Sequence, residues 1–177
     1  MQITSPYFKE KSSEALKDAN LQKALGNVER GFIDKRAKAA ANLPEFEALR
    51  DRSRDIKDHV LGHLDHYLEA YEAKVQDSGG RVHWAAGAQD ARNIILDICK
   101  RANAKTVTKG KSMIAEEIAI NEHLERNGIE PIETDLGEYI IQLRNEPPSH
   151  IIAPAVHVNK EEVEADFRRV HRHLPPG

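Results

Sequence analysis

The chain has 177 residues, a formal net charge of −3, 5% aromatic residues and one cysteine. That length allows one domain with a real core, or a domain with an appendage, and the mild charge gives no global pull toward nucleic acid or an anionic membrane. The lone Cys99 excludes a disulfide framework and a Cys-x-x-Cys metal site, and the longest apolar runs, such as Ile94-Ile95-Leu96, are too short to cross a bilayer.

The N-terminus, M-Q-I-T-S-P-Y-F-K-E-K, lacks the apolar stretch of a secretory signal, so the cytoplasm is the expected compartment. Residues 9–42 are polar and rich in alanine and lysine. Leu16, Leu21, Leu25 and Val28 fall at roughly helical spacing, with Gly26 and Gly31 interrupting, which predicts two modest helices that need a surface to lie on. Pro44 then opens a long helix, since a first-turn proline costs little. Its apolar series, Leu49, Ile56, Val60, Leu64, Tyr67, Tyr71 and Val75, forms one narrow stripe, and Ser78-Gly79-Gly80 ends it with a left-handed cap available. His59, His63 and His66 lie on the same helix. The metalloprotease pattern H-E-x-x-H would need glutamate where Val60 stands, and no carboxylate or cysteine at ligand spacing completes a set, so no metal ligands are assigned.

From Arg81 the texture changes, which divides the chain into an N-terminal helical region, 1–78, and an α/β domain, 79–177. Arg81–Ala85 reads as a first strand and Ala88–Ala102 as a helix with Ile94, Ile95, Ile98 and Cys99 on one face; Cys99 there is a small core hydrophobe. Lys105–Thr108 is the second strand, Ala115–Asn127 the second helix with Gly128 at its C-cap, and Ile129–Thr134 the third strand. Gly137–Leu143 is a short helix, His150–Ala153 a fourth strand after the stiff Pro147-Pro148, and Lys160–His173 a last polar helix. Alternation of this kind predicts a parallel, Rossmann-like sheet of about four strands built from right-handed crossovers. Four strands are few for such a sheet, so the chain reads either as cut short or as continuing its sheet with help from another chain or from its own N-terminal helices.

Within this pattern, Thr106–Glu122 runs strand, turn, helix. A helix start at the carboxyl end of a parallel strand aims unpaired N–H groups at the crevice where ligands bind, and Lys109 and Lys111 add positive charge. Gly110-Lys111-Ser112 matches the second half of a nucleotide P-loop, but Lys105 stands where its first glycine belongs. The expectation is an anion-binding corner made by Lys109, Gly110, Lys111 and Ser112. Other strand-end loops add Asp135, Glu138 and His157. Glu116, Glu117 and Glu138 are candidates for a catalytic carboxylate, with no catalytic role assigned. Ordinary roles stand beside these: Asp135 as a helix cap, and Glu116 and Glu117 as partners of the helix dipole.

Three segments, T-K-G-K-S-M-I-A-E-E-I-A-I-N-E, E-T-D-L-G-E-Y-I-I-Q-L and P-P-S-H-I-I-A-P-A-V-H, closely resemble the lactate-utilisation (LUD) domain family. Within that family, the likeness is to the N-terminal part of the iron–sulfur subunit of bacterial L-lactate oxidation. The resemblance implies a fold related to the sugar-isomerase (NagB/RpiA) and CoA-transferase superfamily, incomplete here. It implies a cytoplasmic complex oxidising L-lactate to pyruvate, partner subunits, a small carboxylate substrate, and two [4Fe–4S] clusters in a following Cys-rich region absent from this sequence. By position, the family's recurring polar residues fall on Lys109, Lys111, Ser112, Glu116, Glu117, Asp135, Glu138, His150 and His157. Two other functions remain open: an isomerase- or CoA-transferase-like enzyme with a glutamate nucleophile, and a plain subunit-interaction module.

Overall fold

The computed structural model describes residues 5–149 and 151–174. The chain divides into two compact units, Arg30–Ala85 and the flanking stretches Met1–Glu29 with Ala86–Gly177.

The flanking unit begins with a short 3-10 turn, Ser5–Tyr7, then α1 (Phe8–Ala15) and α2 (Ala19–Val28). Asp18 caps α2, its carboxylate accepting from the N–H groups of Asn20 and Leu21. A π-helical turn, Glu29–Ile33, leads into the other unit. That unit holds α3 (Asp34–Ala41), α4 (Phe46–Gly62) and α5 (Leu64–Asp77), and none of the three buries a residue. The single long helix expected after Pro44 is therefore two. Gly62 is a weak helix former, and His63 leaves the helical region at φ −132°; its Nδ1 lies 2.8 Å from the His59 carbonyl that the break exposes. The apolar stripe is present but open to solvent, with Leu49 50%, Ile56 53% and Tyr71 61% exposed.

Arg81–Ala85 is irregular, not a strand. The Trp84 indole N–H donates to the Glu72 carboxylate on α5 at 3.1 Å, which ties this stretch to a helix instead of a strand neighbour.

The flanking unit continues with α6 (Ala88–Arg101), β1 (Thr106–Lys109), α7 (Met113–Glu117), α8 (Ile120–Arg126), β2 (Glu130–Glu133), α9 (Leu136–Arg144) and α10 (Lys160–Val170). β1 and β2 pair in parallel, Thr106 opposite Glu130 and Lys109 opposite Glu133. Among the described residues the sheet has these two strands, not about four. The expected fourth strand fails because its segment closes on itself. The Ser149 N–H and hydroxyl both donate to the Pro154 carbonyl, at 3.1 and 2.9 Å, and 151–154 form bends and turns, not a strand. His150 lies outside the described residues. The chain is thus α/β and mainly helical, with a small parallel sheet.

The core is built by the crossover. Leu96 and Cys99 from α6 meet Ile120 and Leu124 from α8 and Ile129 before β2, with Val107 and Ala115 packed against them. Leu124 is 2% exposed, so Leu124→Ala is expected to cost about 2–5 kcal/mol, read as a lower urea midpoint at unchanged slope. Four helices end on one device: Gly79, Asn103, Gly128 and Asn145 sit at positive φ, and the next residue's N–H reaches back to the carbonyls of Val75, Cys99, Leu124 and Ile141. The long helix expected over 115–127 is broken. Arg92 donates to the Ile118 carbonyl at 2.9 Å, and Ala119 turns left-handed at φ 51°, so α8 starts on a new axis.

Candidate functional site

β1 and β2 run parallel, so their C-terminal ends lie side by side. Their last residues, Lys109 and Glu133, are register partners, and the Lys109 Nζ lies 2.6 Å from Glu133 Oε1. This pair is enclosed, the two side chains being 15% and 6% exposed. Asn121 of α8 donates its amide to the same oxygen at 3.0 Å. Gln142 of α9 clamps the strand itself, accepting from the Glu133 N–H at 3.0 Å and donating to the Pro131 carbonyl at 2.7 Å.

The turn after β1 supplies the second pair. Ser112 ends it by accepting the Ala115 N–H, which caps α7. Gly110 keeps negative φ and has open space where a Cβ would stand, so the turn does not demand glycine there. Lys111 reaches across to Glu138, which is 5% exposed on the first turn of α9. Asp135 caps α9 by accepting the Glu138 N–H at 3.2 Å, fixing where that carboxylate stands. Gly137 follows because a Cβ there would lie 2.9 Å from the Pro154 ring, where the last loop packs onto α9.

Beside the two pairs is a cavity of about 270 Å³ between α7, α8, β2, α9 and the Glu146–Pro148 stretch. Glu116, Asn121, Glu133, Glu138 and Gln142 line its polar side, while Ala119 and Ile141 line an apolar side. Burial holds the Glu116 carboxyl above the ordinary glutamate range, and the nearby Glu138 charge adds to it; Lys111 and Lys109 pull the other way and are outweighed. A group with its folded value raised contributes stability below its unfolded value and loses that contribution as pH rises through the folded one. Glu116→Gln is therefore expected to stabilise the chain near pH 7.5, with the gain vanishing near pH 4, in paired urea melts. Asn121 Oδ1 and Glu133 Oε2 are buried acceptors with no donor among the described residues.

Of the expected site residues, the fold brings Lys109, Lys111, Glu116 and Glu138 together. Ser112 and Asp135 act as caps at its margin. Glu117 is exposed on α7. His157 stands one residue away: its Nε2 is 3.0 Å from Glu146, which lines the cavity, and its Nδ1 is 2.8 Å from Ser149. Sequence reading missed Glu133, Asn121, Gln142 and Glu146. The two-residue period of β2 sets Glu133 on the face opposite Ile132, but its meeting with Lys109 depends on the register between the two strands.

Behind the site, Arg144 donates to Asp166 at 2.9 Å and to Glu146 at 3.0 Å, and Arg169 donates to Asp166 at 3.0 Å, tying α10 to α9. Burial alone pushes Asp166 up, but hydrogen bonds from Arg169 and Arg144 outweigh it and hold its carboxyl below the ordinary aspartate range. Among the described residues, no group of three or more His, Cys, Asp or Glu is placed to hold a metal ion, and no helix is long and apolar enough to cross a membrane.

A family model described as "LUD domain" matches residues 68–173. Lactate utilization protein B of Bacillus licheniformis is 41% identical over 169 residues, covering 95% of this chain and 35% of that protein. Lactate utilization protein B of Bacillus subtilis is 40% identical over 169 residues, covering 95% and 35%. The Escherichia coli protein named uncharacterized electron transport protein YkgF is 41% identical over 167 residues, covering 94% and 34%. The chain thus spans about a third of the length of these curated relatives and matches their N-terminal part. No solved structure matches.

Proposed function

The chain belongs to the LUD domain family, and from that premise we propose that it is the N-terminal portion of an electron-transferring subunit in a cytoplasmic complex that oxidises L-lactate to pyruvate. The observation that carries this is identity of about 40% across nearly the whole chain to proteins named for lactate utilization. A relative named for electron transport supports the same role. Electron transfer through the two [4Fe–4S] clusters that the resemblance implies needs four thiolates for each cluster. Cys99 is the sole cysteine and is 7% exposed in the core, so the residues of this chain do not fit a cluster.

In this reading the paired lysines serve a small carboxylate. Lys111 lies on an open turn with its side chain 28% exposed, and is the more accessible of the two. A carboxylate is the natural competitor for an ammonium now held by a glutamate. An α-hydroxy acid adds a hydroxyl proton, which is what the unfilled acceptors of Asn121 and Glu133 lack. The exposed stripe on α4 and α5 is the surface we assign to partner subunits. Disrupting the gene for the protein that carries this chain is expected to abolish growth on L-lactate while sparing growth on pyruvate. Unchanged growth on L-lactate would refute the reading.

A further inference from the structure

Deepening the proposal that Lys111 is the counter-ion of a small carboxylate, and resting on it, we infer that the carboxylate enters by exchange: it takes Lys111 from Glu138, and the Glu116–Glu138 pair binds a proton from solvent in return. Binding then brings in one negative charge and one proton, so the enclosed cluster keeps its net charge.

The geometry behind this is specific. Glu138 is 5% exposed, and its side-chain partner in the structure is Lys111. Lys109, the other ammonium, is already engaged by Glu133, which also takes the Asn121 amide. Glu138 therefore has no second cation to turn to within the cluster. The ionisable groups that line the adjoining cavity are all acidic, Glu116 from α7, Glu122 and Glu125 from α8, and Glu146 after α9 standing with Glu133 and Glu138, while the two lysines lie beside the cavity and not on its wall. A carboxylate left enclosed and unpaired among like charges neutralises itself by protonation before it accepts the cost of remaining ionised. Glu116 already leans that way, its carboxyl being raised by burial and by Glu138. Glu116 and Glu138 line the same cavity, so the proton enters beside the carboxylate that has lost its lysine. Lys111 carries the bond that must be given up, on a turn where a Cβ at Gly110 would meet open space.

Titration calorimetry on the full chain tests this with sodium L-lactate near pH 7, in phosphate and in Tris, whose ionisation enthalpies differ widely. The expected result is a buffer-dependent heat that reports uptake of about one proton per lactate, and an affinity that falls as pH rises. Glu138→Gln is expected to remove the buffer dependence and tighten binding by about tenfold, because Lys111 is no longer held by a charge. Glu116→Gln is expected to lower the uptake while binding persists. Buffer-independent binding by the parent chain would overturn the exchange and leave the carboxylate site standing. No binding of lactate at all would overturn both.

Discussion

Glu133→Ala is expected to cost about 3–5 kcal/mol, a large share of the stability of a chain this size. Glu133 is 7% exposed, and its side chain touches two elements besides its own: Lys109 on β1 and Asn121 on α8. Truncation leaves an enclosed ammonium without a counter-ion and an amide without its acceptor, and each costs more than the lost bond itself was worth. Part of the loss is electrostatic, so a second substitution should repair that part. Lys109→Met with Glu133→Leu replaces the pair by apolar side chains of similar length and should recover the share of the loss that comes from the unpaired ammonium, leaving the Asn121 amide still without its acceptor. Urea denaturation of the three chains is the measurement. Parent-like stability in Glu133→Ala, or no recovery in the double variant, would contradict the enclosed pair.

The second large effect separates binding from folding. Lys111→Met with Glu138→Gln removes both charges together, so no unpaired ion is left behind. The chain should fold with a parent-like urea midpoint yet bind L-lactate about a hundredfold more weakly, the loss of one charge-assisted hydrogen bond of about 3 kcal/mol. Glu138→Gln alone keeps the ammonium and should bind more tightly than the parent. The two variants differ at one position, and their opposite directions assign the effect to Lys111. Equal affinity in both would place the carboxylate elsewhere.

The part of this site that is legible in the sequence is the part made by local rules. Thr106–Lys109 is β-branched and extended, Ser112 stands where an N-cap must, and Asp135 does the same for α9. The apolar period of Ala88–Ala102 places Cys99 in the core. The parts that depend on pairing at a distance were not legible. A glutamate in a strand reads as a solvent-facing residue, and only the register between β1 and β2 shows Glu133 meeting Lys109. Likewise, the break at Ala119 depends on Arg92, 26 residues from Ile118, capturing a helix carbonyl. The expected first and fourth strands failed for related reasons. Trp84 found a partner on α5, and Ser149 bonded twice to Pro154. Short β-rich runs have no fixed state of their own, and their tertiary surroundings decide them. The lysines themselves were expected to face an anion freely, whereas the fold hands each one to a glutamate. Each lysine is therefore already paired, and the proposed carboxylate would have to compete with a glutamate for it.

The most direct test of the account is a crystal structure of the full chain soaked in L-lactate. The account predicts a carboxylate about 3 Å from the Lys111 amine, with the Glu138 side chain released from it. Lys111 still bound to Glu138 at saturating lactate, with the ligand absent from the cavity beside α7 and α9, would contradict it.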